Sequence, residues 1–132
     1  MDGLAAEEQT LRAFVDRARR DRLASVVRTK KRYRELEGVL SHGHPWDERY
    51  VTALAADEQN PRAVEARLRA LGAPESCHVL GGADGIDGAD LPLREALEKI
   101  VGSSMGALVI CIPGRLAYHE GEERHDRNLL SR

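Results

Sequence analysis

Hydrophobic positions follow a helical period over the first 40 residues of the chain. Apolar residues recur in three groups: Leu11, Phe14, Val15 and Ala18, then Leu23, Val26 and Val27, and then Tyr33, Leu36 and Leu40. Spacings of three and four residues predict amphipathic helix, and at about 100° per residue the middle group is rotated away from the other two. We therefore predict helix over residues 5–40 that curves or breaks near residues 21–25, or whose middle group contacts a second surface.

Two further helix starts are predicted after residue 40. Pro45 with two carboxylates in a first turn predicts a short helix, and a strand over residues 49–54 is the alternative. Asn60 and Pro61 form a clearer start, since an amide cap precedes a proline at the first helical position. That helix is predicted to end at Gly72.

The C-terminal half alternates between strand and helix signals. Residues 76–80 form a short apolar run, residues 93–101 have helical spacing, and residues 107–112 are continuously apolar, which is typical of a strand buried on both faces. Strand, helix and strand at this spacing predict parallel pairing through a right-handed crossover. After Pro113 and Gly114 the chain returns as an antiparallel strand ending near Glu120, with a bulge at the corner because an L-Pro-Gly turn does not match hairpin twist.

These elements predict an α+β fold in a single domain of 132 residues. Residues 1–72 are mainly helical and residues 73–132 form a β-α-β-β unit, so that N-terminal helices pack on a small mixed β-sheet. Cys77 and Cys111 lie in apolar runs and are predicted to be buried thiols rather than a disulfide. We expect a cytoplasmic protein without membrane contact, because no segment has the composition of a leader or a span.

The charge of the chain is unevenly distributed. Residues 12–34 hold ten basic and two acidic residues, a local net charge of +8, although the whole chain carries −2. Such a segment is typical of binding to an anionic partner. The predicted anion-binding residues are Arg19, Arg20, Arg28, Lys30, Lys31 and Arg34. The alternative is a solvated helix face that pairs with the acidic remainder.

The glycine- and aspartate-rich loop over residues 81–90 follows a predicted strand, where ligands bind in open α/β sheets. It lacks the lysine of a phosphate-binding loop, the glycine spacing of a dinucleotide fingerprint and the ligand pattern of a calcium loop. Turn formation and helix capping, with Asp90 as the cap, are the preferred interpretation. If the loop binds a ligand, Asp84, Asp87 and Arg115 are the candidate residues.

His78, His119 and Glu120 form the candidate catalytic set. Parallel strands would place His119 and Glu120 at the opposite edge of the sheet from the loop over residues 81–90, and close to His78. Histidine with a carboxylate is the usual general acid–base combination. However, alternation along a strand turns His119 and Glu120 to opposite faces, and no nucleophile accompanies them. A solvated strand end is therefore the preferred interpretation.

No metal or cofactor is predicted. His42 and His44 flank Gly43, but no further ligand follows at a standard metal-site spacing.

We favour a non-enzymatic binding or regulatory protein that uses the basic helix on nucleic acid first, or on another anionic partner such as an acidic protein surface. One alternative is a homo-oligomer or protein-partner adaptor that covers the rotated patch of Leu23, Val26 and Val27. A second alternative is a small hydrolase or nuclease that uses histidine and glutamate in acid–base chemistry.

Overall fold

The computed structural model describes residues 2–83 and 85–132. Within these residues the helices are α1 (Gly3–Phe14), α2 (Arg20–Val26), α3 (Arg32–Gly38), α4 (Pro61–Ala70) and α5 (Leu93–Ile100). The strands are β1 (Val51–Ala53), β2 (Ser76–Gly81), β3 (Asp90–Pro92), β4 (Ala107–Ile112), β5 (Leu116–Glu120) and β6 (Arg127–Ser131). A π-helical turn at Val39–Gly43 and 3₁₀ turns at Glu48–Tyr50 and Ala56–Glu58 lie between them. The predicted α+β class is confirmed.

All the strands form one open sheet in the order β1-β6-β5-β4-β2-β3, and every neighbouring pair is antiparallel. The predicted parallel pairing of β2 with β4, and with it the mixed sheet, is wrong. The cause is β3, which runs back along β2 until Pro92 lies opposite Ser76. Because α5 then starts near the beginning of β2, β4 starts at the far end of β2, where Ala107 lies opposite Gly81.

Helices cover both faces of the sheet. α1, α2 and α3 pack on one face, where Leu80, Leu108 and Ile110 belong to their core. α4 and α5 pack on the other face, over a core that includes Val79 and Val109. Successive side chains of β4 point to opposite faces, so its apolar run is buried on both sides as predicted.

Three helices replace the single predicted N-terminal helix. The chain leaves α1 in extended conformation at Val15, which bridges to Trp46, and it turns again between α2 and α3. These breaks lie on either side of residues 21–25, so the predicted position of the break is wrong. The two turns rotate Leu23, Val26 and Val27 into the core, where each is at most 8% exposed. The patch that motivated the homo-oligomer alternative is therefore covered within the chain.

The segment after Pro45 forms the alternative strand rather than the predicted helix. The 3₁₀ turn leads into β1, and β1 pairs with β6 with Val51 opposite Leu130. β6 was not predicted, because Arg127–Ser131 is short and begins with polar residues.

Local signals from Asn60 onward are mostly confirmed. The side chain of Asn60 caps α4, and Gly72, with φ +100°, follows the end of that helix. A register shift between Ile110 and Ile112 gives the predicted bulge beside the Pro-Gly corner. Asp90 does not cap α5, because it belongs to β3.

Cys77 and Cys111 are buried free thiols, as predicted. Burial raises the pKa of Cys77 to about 11 and also raises the pKa of Cys111. Both side chains pack as small apolar groups rather than as nucleophiles.

Candidate functional site

A charged cluster joins α1 to the sheet, and we call its members Glu7, Arg32, His78, Asp87 and Asp90 the Glu7–His78 cluster. Glu7 and His78 are buried, whereas Asp90 is exposed. Nε2 of His78 lies 2.5 Å from Oε2 of Glu7, and Nδ1 lies 2.8 Å from Oδ1 of Asp90. Both ring nitrogens face carboxylates, so the imidazolium form donates two hydrogen bonds. Burial acts to lower the pKa of His78, but these hydrogen bonds outweigh it and the net pKa is raised.

Arg32 connects this cluster to α3 and to the loop after β2. Its guanidinium nitrogens lie 2.6 Å from Oε1 of Glu7 and 2.9 Å from Oδ1 of Asp87. The same Asp87 oxygen accepts the N–H of Gly81 at 2.8 Å. Burial acts to lower the pKa of Arg32, and its hydrogen bonds to Glu7 and Asp87 raise it overall. The Glu7 side chain is only 1% exposed, and two basic partners, Arg32 and His78, balance its negative charge.

The Glu7–His78 cluster borders an open cavity of about 410 Å³, but its chemistry is limited. Gly3 covers the ring so closely that a Cβ there would lie 2.5 Å from Cε1 of His78. The described residues that line the cavity include no hydroxyl, thiol or amine side chain that could act as a nucleophile. The arrangement holds a proton between carboxylates and fastens α1 to the sheet.

A second cluster joins the π-helical turn to the loop before β6, and we call His44, Trp46, His119, Asp126 and Asn128 the His44–Asp126 cluster. Nδ1 of His44 lies 3.2 Å from Oδ1 of Asp126, and Nε2 lies 2.9 Å from Oε1 of the exposed Glu48. The side-chain amide of Asn128 donates to the same Asp126 oxygen at 3.0 Å. Burial acts to lower the pKa of His44, and its hydrogen bonds to Glu48 and Asp126 raise it overall.

His44 adopts a strained backbone conformation. Its φ is +41°, and it directly follows the π-helical turn. Left-handed backbone in a non-glycine residue and π-helical turns both recur at functional sites. His44 lines a cavity of about 310 Å³ together with His42 and His125. Even so, within residues 2–83 and 85–132 no group of three or more His, Cys, Asp or Glu side chains is placed to hold a metal ion.

His119 is fully buried, so its interpretation as a solvated strand end is wrong. Its Nδ1 accepts the indole N–H of Trp46 at 3.2 Å and the amide of Asn128 at 3.1 Å. Its Nε2 donates to the carbonyl oxygen of Leu40 at 2.8 Å. These contacts fit the neutral ring, and burial lowers the pKa of His119.

Glu120 is also fully buried, but on the opposite face of the sheet. Its carboxylate accepts the Tyr118 hydroxyl at 2.7 Å and the backbone N–H groups of Gly102 at 3.0 Å and Ser104 at 2.7 Å. The nearest nitrogen of Arg127 lies 3.9 Å away. Burial and the adjacent carboxylate raise the pKa of Tyr118. Glu120 therefore anchors the loop after α5, and its oxygens are already occupied.

The structure does not bring His78, His119 and Glu120 into one pocket, because each has its own set of partners. The predicted position of the last two residues is also wrong. Glu120 lies opposite Ala107, which in turn lies opposite Gly81, so they are at the same end of the sheet as the loop over residues 81–90. Antiparallel pairing of β2 with β4 produces this reversal.

The three candidates of the ligand loop are not brought together either. Asp84 lies outside the described residues. Asp87 belongs to the Glu7–His78 cluster. Arg115 is exposed in the turn between β4 and β5, at the opposite end of β4 from Gly81. The length of the strand, at about 3.3 Å per residue, separates the two ends by roughly 20 Å.

Folding divides the ten cations of residues 12–34 into two groups. Five are held by protein atoms: Arg12 by Asp21, Arg19 by Asp16, Arg20 by the Val15 carbonyl, Arg28 by Glu8, and Arg32 by Glu7 and Asp87. The other five are exposed and form no side-chain ion pair or hydrogen bond with a described residue: Arg17, Arg22, Lys30, Lys31 and Arg34. Half of the predicted anion-binding set, Arg19, Arg20 and Arg28, thus already has protein partners.

Lys30, Lys31 and Arg34 are exposed cations that lie close together in sequence, and we call them the cationic turn. Lys30 and Lys31 lie in the connection between α2 and α3, and Lys31 occupies the cap position of α3. Arg34 follows Lys31 by three residues, a spacing that places both side chains on one side of the helix. Arg22 lies near the other end of α2, roughly 10 Å away along the helix axis.

No family model, curated protein or solved structure matches this chain. Within the described part of the chain, no helix combines the length and the apolar character needed to cross a bilayer. The functional assignment therefore rests on the side chains themselves.

Sequence reasoning missed the partners of His78. Glu7 falls on the buried face of α1 together with Leu11 and Phe14, and a carboxylate at such a position signals a buried basic partner. In the sequence, Arg32 belongs to the basic segment over residues 12–34. No local signal identifies it as the partner, because it follows Glu7 by 25 residues.

Proposed function

We propose that the protein binds a polyanion, nucleic acid first, through the cationic turn. The observation that carries this proposal is that Lys30, Lys31 and Arg34 are exposed and have no carboxylate partner among the described residues, whereas the neighbouring Arg28 and Arg32 have one. Because the fold does not use the charge of these three side chains, it is available to neutralise phosphates and release their counterions.

The net charge of −2 does not oppose this proposal. At physiological ionic strength exposed charges are screened over about 8 Å, so a polyanion senses the local surface rather than the whole chain. Near the cationic turn, the negative charges of Glu8 and Glu7 are balanced by ion pairs with Arg28 and Arg32. Glu35 and Glu37 are further carboxylates on α3.

We expect fluorescence-anisotropy titrations with labelled duplex and single-stranded DNA and RNA to show binding that weakens as salt rises. Three phosphate contacts give a slope of about −2.7 for log K against log salt on duplex DNA. The double substitution Lys30→Gln, Lys31→Gln removes two of these contacts and should reduce the slope by about 1.8.

The matched control is Arg62→Gln, Lys99→Gln, which removes the same charge from exposed side chains of α4 and α5 on the other face of the sheet. We expect its salt slope to equal that of the unsubstituted protein. Undetectable affinity at low salt, or affinity that does not depend on salt, contradicts the proposed function. Equal effects of the two double substitutions would place the binding surface elsewhere.

A further inference from the structure

The ion pairs of the basic segment differ sharply in burial. The Arg32 and Glu7 side chains are 19% and 1% exposed, and they are enclosed by the Glu7–His78 cluster. The Arg28 and Glu8 side chains are 50% and 27% exposed. A half-exposed pair contributes little to stability, because water and salt screen its attraction. The Arg28–Glu8 pair can therefore open without disturbing the core, whereas the Arg32–Glu7 pair cannot.

Arg28 lies in the connection between α2 and α3, two residues before Lys30. It would extend the cationic turn toward α1 if its guanidinium were not held by Glu8. Guanidinium binds phosphate as well as carboxylate, and in both cases through paired N–H donors. A phosphate group seated on Lys30 and Lys31 is thus a competitor for the same arginine.

We propose that Glu8 is an internal competitor for the anionic partner: it holds Arg28 in the free protein, and binding exchanges this carboxylate for a phosphate of the partner. This inference rests on the proposed function. The exchange is non-covalent, and it leaves the Glu8 carboxylate hydrated at the surface of α1. Glu7 takes no part, because its buried partners Arg32 and His78 keep it in place.

The test is a double-mutant cycle of Glu8→Gln and Arg28→Gln, measured by anisotropy on the labelled duplex DNA over a range of salt. Glu8→Gln should tighten binding about two- to fivefold, the range that exposed ion pairs contribute. It should also steepen the salt slope by about 0.9, because Arg28 gains a phosphate contact. Adding Arg28→Gln should abolish both gains. A gain of the same size in the Arg28→Gln background would overturn the proposal, since it would report only the loss of a negative charge.

Asp21→Asn provides the matched control. It removes one carboxylate from the exposed Arg12–Asp21 pair, which lies 2.9 Å apart near the beginning of α2 and away from the cationic turn. We expect its salt slope to be unchanged. If Lys30→Gln, Lys31→Gln weakens binding but Glu8→Gln leaves the slope unaltered, the competitor proposal is wrong and the proposed function stands. If the unsubstituted protein binds no polyanion at low salt, both are wrong.

Discussion

Replacing Glu120 by alanine is expected to lower the free energy of unfolding by about 3–5 kcal/mol, a large share of the stability of a domain of this size. The substitution removes the acceptor of the Tyr118 hydroxyl and of the Gly102 and Ser104 N–H groups. It also leaves the guanidinium of Arg127, which is 4% exposed, without its nearest carboxylate. Buried donors and charges that lose their partners carry the full cost of desolvation.

Urea-induced unfolding followed by circular dichroism measures this change. Glu120→Gln is a second variant, because it keeps one acceptor oxygen and should cost less than the alanine substitution. Glu123→Gln is the control. Glu123 is exposed in the loop between β5 and β6, and its substitution should change stability by less than about 0.5 kcal/mol. A loss of less than 1 kcal/mol in Glu120→Ala would contradict the anchoring role of this carboxylate.

The parts of the fold that could be predicted are those that a segment determines by itself. Asn60 supplies a cap, Gly72 accepts a left-handed φ, and Ala107–Ile112 has the apolar run of a central strand. Each of these signals acts within a few residues. The direction of β2 relative to β4 could not be predicted in this way, because it depends on β3, a strand of three residues that is too short to show a period.

The difference between local signals and contacts of distant segments also explains which parts of the candidate site could be predicted. The sequence favours a solvated strand end for His119, because alternation turns it away from Glu120 and no nucleophile accompanies the pair. Its actual partners, Trp46 and the Leu40 carbonyl, come from segments 73 and 79 residues earlier in the chain. Residue type indicated which side chains carry chemistry, but only the tertiary contacts show that most of them are already engaged. The side chains of the cationic turn, by contrast, form no ion pair with a described residue.

His78 is expected to make the stability of the protein depend on pH. Its pKa is raised in the folded state, so its contribution is complete below the ordinary histidine pKa of about 6.5 and is lost as pH rises through the raised value. The charged groups around the ring are Glu7 on α1, Asp90 on β3 and, through Glu7, Arg32 on α3. His44 acts in the same direction, because its pKa is raised as well.

His78→Gln isolates this contribution from that of His44. At pH 6 the substitution should lower the free energy of unfolding by about 2–4 kcal/mol, because Glu7 loses a charged hydrogen-bond partner in a buried position. At pH 9 the difference from the unsubstituted protein should be clearly smaller, because holding the proton in the folded state becomes less favourable as pH rises above the ordinary histidine pKa. Urea titrations at pH 6, 7, 8 and 9 measure the trend.

His125→Gln is the control for the pH series. His125 is exposed and forms no ion pair or hydrogen bond with a described residue, so its substitution should leave stability within about 0.5 kcal/mol at every pH. A difference between His78→Gln and the unsubstituted protein that stays constant from pH 6 to pH 9 would show that the folded state does not hold an additional proton on His78. The geometry argues against that result, because a neutral ring would leave one of its nitrogens facing a carboxylate without a proton to share.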